Sequence, residues 1–205
     1  MSKATDLLFQ RNKKHKKSFK KTYLIFCEWE TEKHYFEEIK QWVKSITIEP
    51  RQLNNKSFQT IAKEMKKVID QLVLQWKSYD RVYCIFDNNN LPRQDFEQWL
   101  SIMKKNNIHL IYSNKCFEVW ILMHYLQYNR KVQNSAEYER ELQQFIPWYA
   151  KPYKWLYHLT KSKIRDAIGN SKSISRYENF SEVYSKEPYT DMRQIIEDLM
   201  QYIES

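Results

Sequence analysis

The sequence predicts an α/β fold in which helices flank a parallel sheet, with a mostly helical C-terminal extension. Short apolar runs at Thr22–Cys27, Arg81–Phe86 and His109–Tyr112 have the length and composition of buried parallel strands. Amphipathic helical patterns alternate with these runs, which is typical of βαβ units. Beyond residue 125 the strand patterns stop, whereas helical patterns continue to the end. These observations predict a helix-covered sheet followed by a helical region.

Each predicted element rests on the spacing of its apolar residues. Thr31–Lys44 carries apolar residues at i, i+1, i+4, i+7 and i+8, the stripe of a helix that faces a core. Phe58–Trp76 has the most regular stripe, and a short strand at Ile46–Glu49 ends before Pro50. The other predicted helices are Asp95–Lys105, Phe117–Tyr125, Glu137–Phe145, Trp155–Ile168 and Asp191–Ile203.

The same patterns divide the chain into three parts. Residues 1–21 contain many lysines and few apolar residues, which predicts a flexible basic arm. Residues 22–125 hold the alternating strands and helices and are predicted to form the α/β core. Residues 126–205 are predicted to be a helical extension that packs on that core.

Composition excludes several classes of protein. The single glycine, Gly169, excludes the glycine-rich loops that bind the phosphates of ATP or NAD. Three cysteines without Cys-x-x-Cys spacing predict buried free thiols in a reducing compartment. No run approaches the about 18 apolar residues of a membrane span, and the N-terminus is too polar for a signal peptide. We therefore expect a cytoplasmic protein with no membrane partner.

The net charge of +9 is concentrated in two segments. Residues 1–27 carry eight lysines and arginines against one acid, and residues 126–176 carry ten against four. This predicts a polyanionic partner, most simply nucleic acid, although a solvated lysine-rich surface explains the charge equally well. Aromatic residues among the second group of cations favour RNA over DNA, but they also fit ordinary packing beneath lysine side chains. The candidate nucleic-acid-binding residues are Lys13, Lys14, Lys16, Lys17, Lys151 and Lys154.

Two acids stand at the carboxyl ends of predicted strands. Glu28 follows the first strand and Asp87 follows the strand at Arg81–Phe86. Ligand sites in parallel sheets lie beyond these strand ends, and carboxylate oxygens suit Mg²⁺ or general acid–base chemistry. Each acid alone is also a good cap for the helix or turn that follows it. Finding both at equivalent positions favours a functional site.

The segment after the last predicted core strand reaches the same edge of the sheet. Glu118 is a further candidate catalytic residue, although a negative charge in the first turn of a helix is favoured without any function. Lys115 is a candidate contact for phosphate, or else a solvated side chain.

Three motifs resemble those of RloB-like proteins. The residues CEWETEKHYF at 27–36 are similar to that family's CEGxTExxYF, and IFDNN at 85–89 is similar to its FDxD element. The residues SNKCFEVWILMH at 113–124 are similar to SNPxFExWxLxH, the most specific of the three. The order and spacing also agree, and Pro188-Tyr189-Thr190 resembles the family's ending. The resemblance covers about residues 22–203.

The resemblance implies a fold and a function. RloB-like proteins belong to the Toprim (topoisomerase-primase) superfamily, which implies a Toprim-like parallel sheet, Mg²⁺ or Mn²⁺, and phosphodiester chemistry in anti-phage defence by abortive infection. Carried over, Glu28 is a general acid–base or metal ligand, and Asp87 is a metal ligand. Asn89 stands in the position of the second aspartate of FDxD, and Trp29 replaces the glycine after the glutamate.

Two functions follow from these motifs. The first is a metal-dependent nuclease acting on RNA or DNA. The second is a catalytically weak or inactive subunit that binds nucleic acid or senses infection together with a partner protein of a defence operon. The residues Trp29 and Asn89 favour the second function, because an amide in place of a carboxylate weakens binding of Mg²⁺.

Overall fold

A five-stranded sheet forms the centre of the molecule. The computed structural model describes residues 20–53, 58–74, 79–88, 91–174 and 180–203. The strands are β1 (Lys21–Cys27), β2 (Ile46–Gln52), β3 (Arg81–Asp87), β4 (His109–Asn114) and β5 (Tyr189–Thr190).

The order of the strands creates a switch point between β1 and β3. The spatial order is β2-β1-β3-β4-β5, in which the first four strands are parallel and β5 is antiparallel to β4. The chain leaves β1 for β2 on one side and then returns to β3 on the other side. Ligands of open α/β sheets bind outside the carboxyl ends of the strands at such a point.

Helices cover both faces of the sheet. Side chains of β1 alternate between the faces: Leu24 and Phe26 pack with α2 and α3, whereas Tyr23 and Ile25 pack with α1 and the helices of the C-terminal region. The helices of the described ranges are α1 (Glu30–Trp42), α2 (Phe58–Leu74), α3 (Arg93–Lys105), α4 (Glu118–Leu122), α5 (Ser135–Leu142), α6 (Leu156–Thr160), α7 (Ile164–Ser171), α8 (Phe180–Ser185) and α9 (Met192–Met200).

The predicted fold class is confirmed: the molecule is a mixed α/β protein with a mostly parallel sheet, flanking helices and a helical C-terminal part. The extension differs in two details. It contributes β5, a strand of two residues that is too short to produce a periodic pattern. The helix predicted at Trp155–Ile168 is interrupted by a 3₁₀ turn at Lys161–Lys163, and Trp155 itself lies before α6 in a left-handed conformation.

The C-terminal helix α9 is joined to the sheet by apolar and polar contacts. Leu199 is fully buried in the same apolar cluster as residues of β1 and β3. Asp198 accepts a 2.6 Å hydrogen bond from the hydroxyl of Tyr83 and lies 2.8 Å from Nη1 of Arg81. The proposed boundaries at residues 21 and 125 stay predictions, and nearly all of the basic arm lies outside the described residues.

Two further observations bear on the composition arguments. Cys27, Cys84 and Cys116 are buried free thiols, as their spacing predicts. Among the helices of the described ranges, none has both the length and the apolar character needed to cross a bilayer.

Replacing Leu199 with alanine tests the packing of α9 on the sheet. We expect the free energy of unfolding to fall by about 2–5 kcal/mol, because the substitution leaves a cavity in a closed core. Urea denaturation followed by circular dichroism measures this change. Leu159→Ala is the matched control, since Leu159 is 38% exposed, and it should cost less than about 1 kcal/mol. Equal losses in the two variants would contradict the packing described here.

Candidate functional site

Two acidic side chains lie at the switch point of the sheet. Glu28 follows the last residue of β1, and Asp87 is the last residue of β3. The backbone N–H of Asp87 donates a 3.1 Å hydrogen bond to Oε2 of Glu28. The structure thus brings both acids to one edge of the sheet, as their positions at the ends of two predicted strands indicate.

Asp87 is buried and incompletely hydrogen-bonded. Its Oδ1 atom has no hydrogen-bond partner in the described part of the chain. Burial raises the pKa of Asp87 well above its ordinary value, and the nearby carboxylates of Glu28 and Glu118 raise it further. The ionised form of this carboxylate is therefore costly, and a cation or a hydrogen-bond donor near Oδ1 would stabilise it.

Glu28 is less enclosed than Asp87. Burial raises its pKa to about 7, against the opposing effects of the Asp87 N–H group and the positive charge of Lys151. A carboxyl group with this pKa is present in both protonation states near neutral pH. It can therefore accept or donate a proton in a reaction at that pH.

Glu32 joins the two acids, and the motifs alone do not assign it a role. It is fully buried in the first turn of α1, where Oε2 accepts a 3.1 Å hydrogen bond from the N–H of Trp29. Its Oε1 atom has no partner among the described residues. Burial raises the pKa of Glu32 well above its ordinary value, and the charges of Asp87 and Glu28 add to this effect. Glu32 is therefore a further acid of the site, which its ordinary position in the first turn of a helix does not reveal from the sequence.

Glu118 is held by two side chains from the C-terminal extension. The hydroxyl of Tyr149 donates a hydrogen bond to Oε1, and Nζ of Lys151 lies 2.8 Å from Oε2. Lys151 also lies 3.6 Å from Oε1 of Glu139. Burial has the largest effect and lowers the pKa of Lys151, but the combined effects of Glu118, Cys116 and Asp87 outweigh burial and raise the pKa above its ordinary value. Lys151 is therefore a permanent cation beside the acids.

These residues form one electrostatic unit. We use the term acidic cluster for Glu28, Glu32, Asp87 and Glu118, whose charges influence one another. The ammonium group of Lys151 compensates part of their charge. The arrangement combines unpartnered carboxylate oxygens, a carboxyl group that titrates near neutral pH and a fixed cation.

One protein family matches the chain over most of its length. The family model described as RloB-like protein matches residues 23–199. The chain belongs to this family. No curated protein and no solved structure matches it. The matched range includes every residue of the acidic cluster together with Lys151.

The lysines predicted to bind nucleic acid in this RloB-like protein fall into three groups. Lys115 donates hydrogen bonds of 2.9 and 2.6 Å to the carbonyl oxygens of Val132 and Gln133, so its ammonium group is engaged within the fold. Lys151 belongs to the site described above, whereas Lys154 is exposed. The remaining four, Lys13, Lys14, Lys16 and Lys17, lie outside the described residues, and their role stays a prediction.

The acidic cluster offers few protein ligands to a divalent cation. Within the described ranges, no three His, Cys, Asp or Glu side chains converge closely enough to ligate one ion. Asn89, the predicted third ligand, lies outside those ranges. Mg²⁺ needs only one or two protein carboxylates when substrate phosphate and water complete its shell. The unpartnered Oδ1 of Asp87 beside Glu28 fits this minimal requirement.

Replacing Glu32 with glutamine tests the crowding of charge. The raised pKa of Glu32 means that the folded protein binds a proton more readily than the unfolded chain, so stability rises as pH falls toward the ordinary pKa of 4.5. We expect Glu32→Gln to be more stable than the parent protein at pH ~8 and to lose this advantage at pH ~5.

Urea denaturation in EDTA at both pH values measures the effect. Glu37→Gln is the matched control, because the Glu37 side chain lies on the same helix but is 44% exposed beside Lys33, and the substitution should change stability by less than about 1 kcal/mol at both pH values. A destabilised Glu32→Gln variant at the higher pH would contradict the mutual repulsion inferred here.

Proposed function

We propose that this RloB-like protein is a metal-dependent nuclease of the Toprim type that acts in the cytoplasm in anti-phage defence. One observation supports the proposal most directly. At the switch point of the sheet, the Oδ1 atom of the buried Asp87 has no hydrogen-bond partner among the described residues, and the Asp87 backbone is hydrogen-bonded to Glu28. A buried, unpartnered carboxylate is costly, and such sites persist where a ligand stabilises them.

The residues of the acidic cluster take different roles in this proposal. Asp87 and Glu28 hold Mg²⁺ or Mn²⁺, with Asn89 as a third oxygen donor. When bound, the ion stabilises charge on the phosphate oxygens and lowers the pKa of bound water. Alternatively, Glu28 transfers the proton instead of holding the ion, since its pKa of about 7 permits both protonation states.

Glu118 and Lys151 act beside these two acids. Tyr149 and Lys151 hold the carboxylate of Glu118 in place through a hydrogen bond and an ion pair. The charge of Glu118 therefore acts on Asp87 from a fixed position. About a third of the Lys151 side chain is exposed, so a phosphate can approach this residue. Lys151 therefore positions Glu118 and attracts the scissile phosphate.

A second candidate function is binding or sensing of nucleic acid without cleavage, together with a partner protein. The ion pair between Lys151 and Glu118 favours this second function, because Lys151 already neutralises one acid whose charge would otherwise help to attract a metal ion. The absence of three converging ligands within the described ranges is consistent with weak metal binding.

Cleavage assays separate the two functions. The protein is incubated with single- and double-stranded RNA and DNA in Mn²⁺, in Mg²⁺ or in EDTA. We expect cleavage, strongest on RNA, that EDTA abolishes and that Glu28→Gln and Asp87→Asn each reduce by at least ~100-fold, the usual contribution of a general acid–base group. Glu97→Gln, an exposed acid on α3, is the control and should cleave normally. Binding without cleavage, unaffected by either substitution, would establish the second function.

The four lysines of the basic arm are tested in the full chain. We expect simultaneous replacement of Lys13, Lys14, Lys16 and Lys17 with glutamine to weaken binding of single-stranded RNA, because fewer counterions are released. The slope of log affinity against log salt should become less negative by about 3, from ~0.7 per phosphate contact. Titrations in EDTA at several salt concentrations measure the slope. An unchanged slope would show that the arm makes no contacts with phosphate.

A further inference from the structure

A cavity of about 710 Å³ lies at the end of α1 that is remote from the acidic cluster. It is formed by the last turn of α1, the residues after it, the start of α6 and the C-terminal turn. Glu32 lies near the start of α1 and Trp42 at its end, so these two residues are about 15 Å apart along the helix axis. The cavity is thus a second site, not a part of the first.

Two tryptophans present their indole rings at this cavity. Trp42 is 47% exposed and Trp155 is 64% exposed, and both line its wall. A single exposed apolar side chain is common, but two large aromatic rings on one concave surface indicate a binding site. The flat faces of indole rings favour a flat aromatic ligand.

The fold holds Trp155 in this exposed position. Its φ angle of 68° lies in the left-handed region, which is unfavourable for a bulky side chain. The segment that follows is anchored by Glu38, whose buried carboxylate accepts a 2.8 Å hydrogen bond from the N–H of His158. Burial raises the pKa of Glu38, and the His158 N–H opposes this effect. The backbone is therefore constrained to display an indole ring that does not contribute to the core.

Cations lie beside the Trp42 ring and in the wall of the cavity, which Glu38 also lines. Nζ of Lys161 lies 3.5 Å from the centroid of the Trp42 ring, and the exposed Lys44 lines the cavity. Nζ of Lys20 donates a 2.7 Å hydrogen bond to the carbonyl oxygen of Lys44, so the basic arm joins the described part of the chain at this cavity. Aromatic rings bordered by cations complement an anionic ligand that carries flat bases.

A continuous segment connects the cavity with the acidic cluster. The N–H of Tyr153 donates a 3.3 Å hydrogen bond to Oγ1 of Thr31 at the start of α1, whereas His158 is bonded to Glu38 near the end of that helix. The segment therefore runs along α1 from Lys151 at the cluster to Trp155 and the cavity.

We infer that the cavity binds a base of single-stranded nucleic acid, stacked on Trp42 and Trp155, while its phosphates contact Lys44 and Lys161. The inference rests on the proposed function, because it specifies that the nucleic acid on which the acidic cluster acts is single-stranded. A duplex is excluded from this site because its bases are paired and stacked within the helix. RNA and DNA share the chemistry of a base joined to a phosphate, so both are tested.

The experiment compares strands that carry bases with strands that have only the backbone. Binding of short labelled single-stranded RNA and DNA, and of abasic strands of the same length, is measured by fluorescence anisotropy in EDTA with the full chain. We expect Trp155→Ala to weaken binding of the base-bearing strands by roughly 5- to 150-fold, the range for loss of one stacked base. Binding of the abasic strands should not change.

Three further variants make the test specific. Trp42→Ala should reproduce the selective loss, and Trp155→Tyr should restore most of the affinity because it retains a ring. Trp148→Ala is the matched control, since Trp148 is 69% exposed but does not line the cavity, and it should bind like the parent protein. Thermal unfolding of each variant identifies any loss of folding.

Several results would overturn the inference. They are equal losses on base-bearing and abasic strands, unchanged binding in Trp155→Ala, or a change in sedimentation that shows the rings to be a contact between two copies of the chain. Cleavage is scored separately: base-selective binding without cleavage retains this site and rejects the nuclease, whereas cleavage without base selectivity rejects this site alone.

Discussion

The concentration of buried carboxylates at the carboxyl ends of β1 and β3 is the constraint around which this molecule is organised. Glu32, Asp87 and Glu118 are all buried, and Glu28 borders them. Like charges in a medium of low dielectric raise one another's pKa values, and removing each group from water adds to this cost. The apolar layers on both faces of the sheet must supply the stability that this arrangement removes.

The compensating charge comes from a distant part of the sequence. Lys151 and Tyr149 reach Glu118 from the C-terminal extension, which is anchored to α1 at Thr31 and Glu38. The extension therefore has an electrostatic role as well as a packing role. Without it, Glu118 would be a buried carboxylate with neither an ion pair nor a hydroxyl donor, a state that proteins seldom tolerate.

The sequence predicts those parts of the site that depend on local pattern. Glu28 and Asp87 could be located because each follows an apolar run, and parallel strands deliver their ends to one edge. Glu32 could not be singled out, because an acid in the first turn of a helix has an ordinary capping role. Tyr149 reaches Glu118 by tertiary packing that no spacing encodes. The strand β5 was missed because two residues carry no periodicity.

The same distinction applies to the two tryptophans of the cavity. Trp42 belongs to the apolar stripe of α1, and this pattern predicts that it is a core residue. Nearly half of its surface is nevertheless exposed. Trp155 was expected within a continuous helix, but its left-handed backbone places it before α6. Exposure of this kind is decided by what packs around a residue.

The acidic cluster by itself repels the polyanion on which it is proposed to act. All four of its side chains are carboxylates, so most of the attraction for phosphate must come from cations elsewhere in a chain of net charge +9. Lys161 beside Trp42, together with Lys20 and Lys44, lies near the opposite end of α1. In the proposed function, binding and chemistry are thereby separated in space: affinity would be generated where cations and rings are exposed, and the acids would meet the strand only after it is held. A separation of this kind would allow the cluster to remain acidic enough for metal chemistry without losing its substrate.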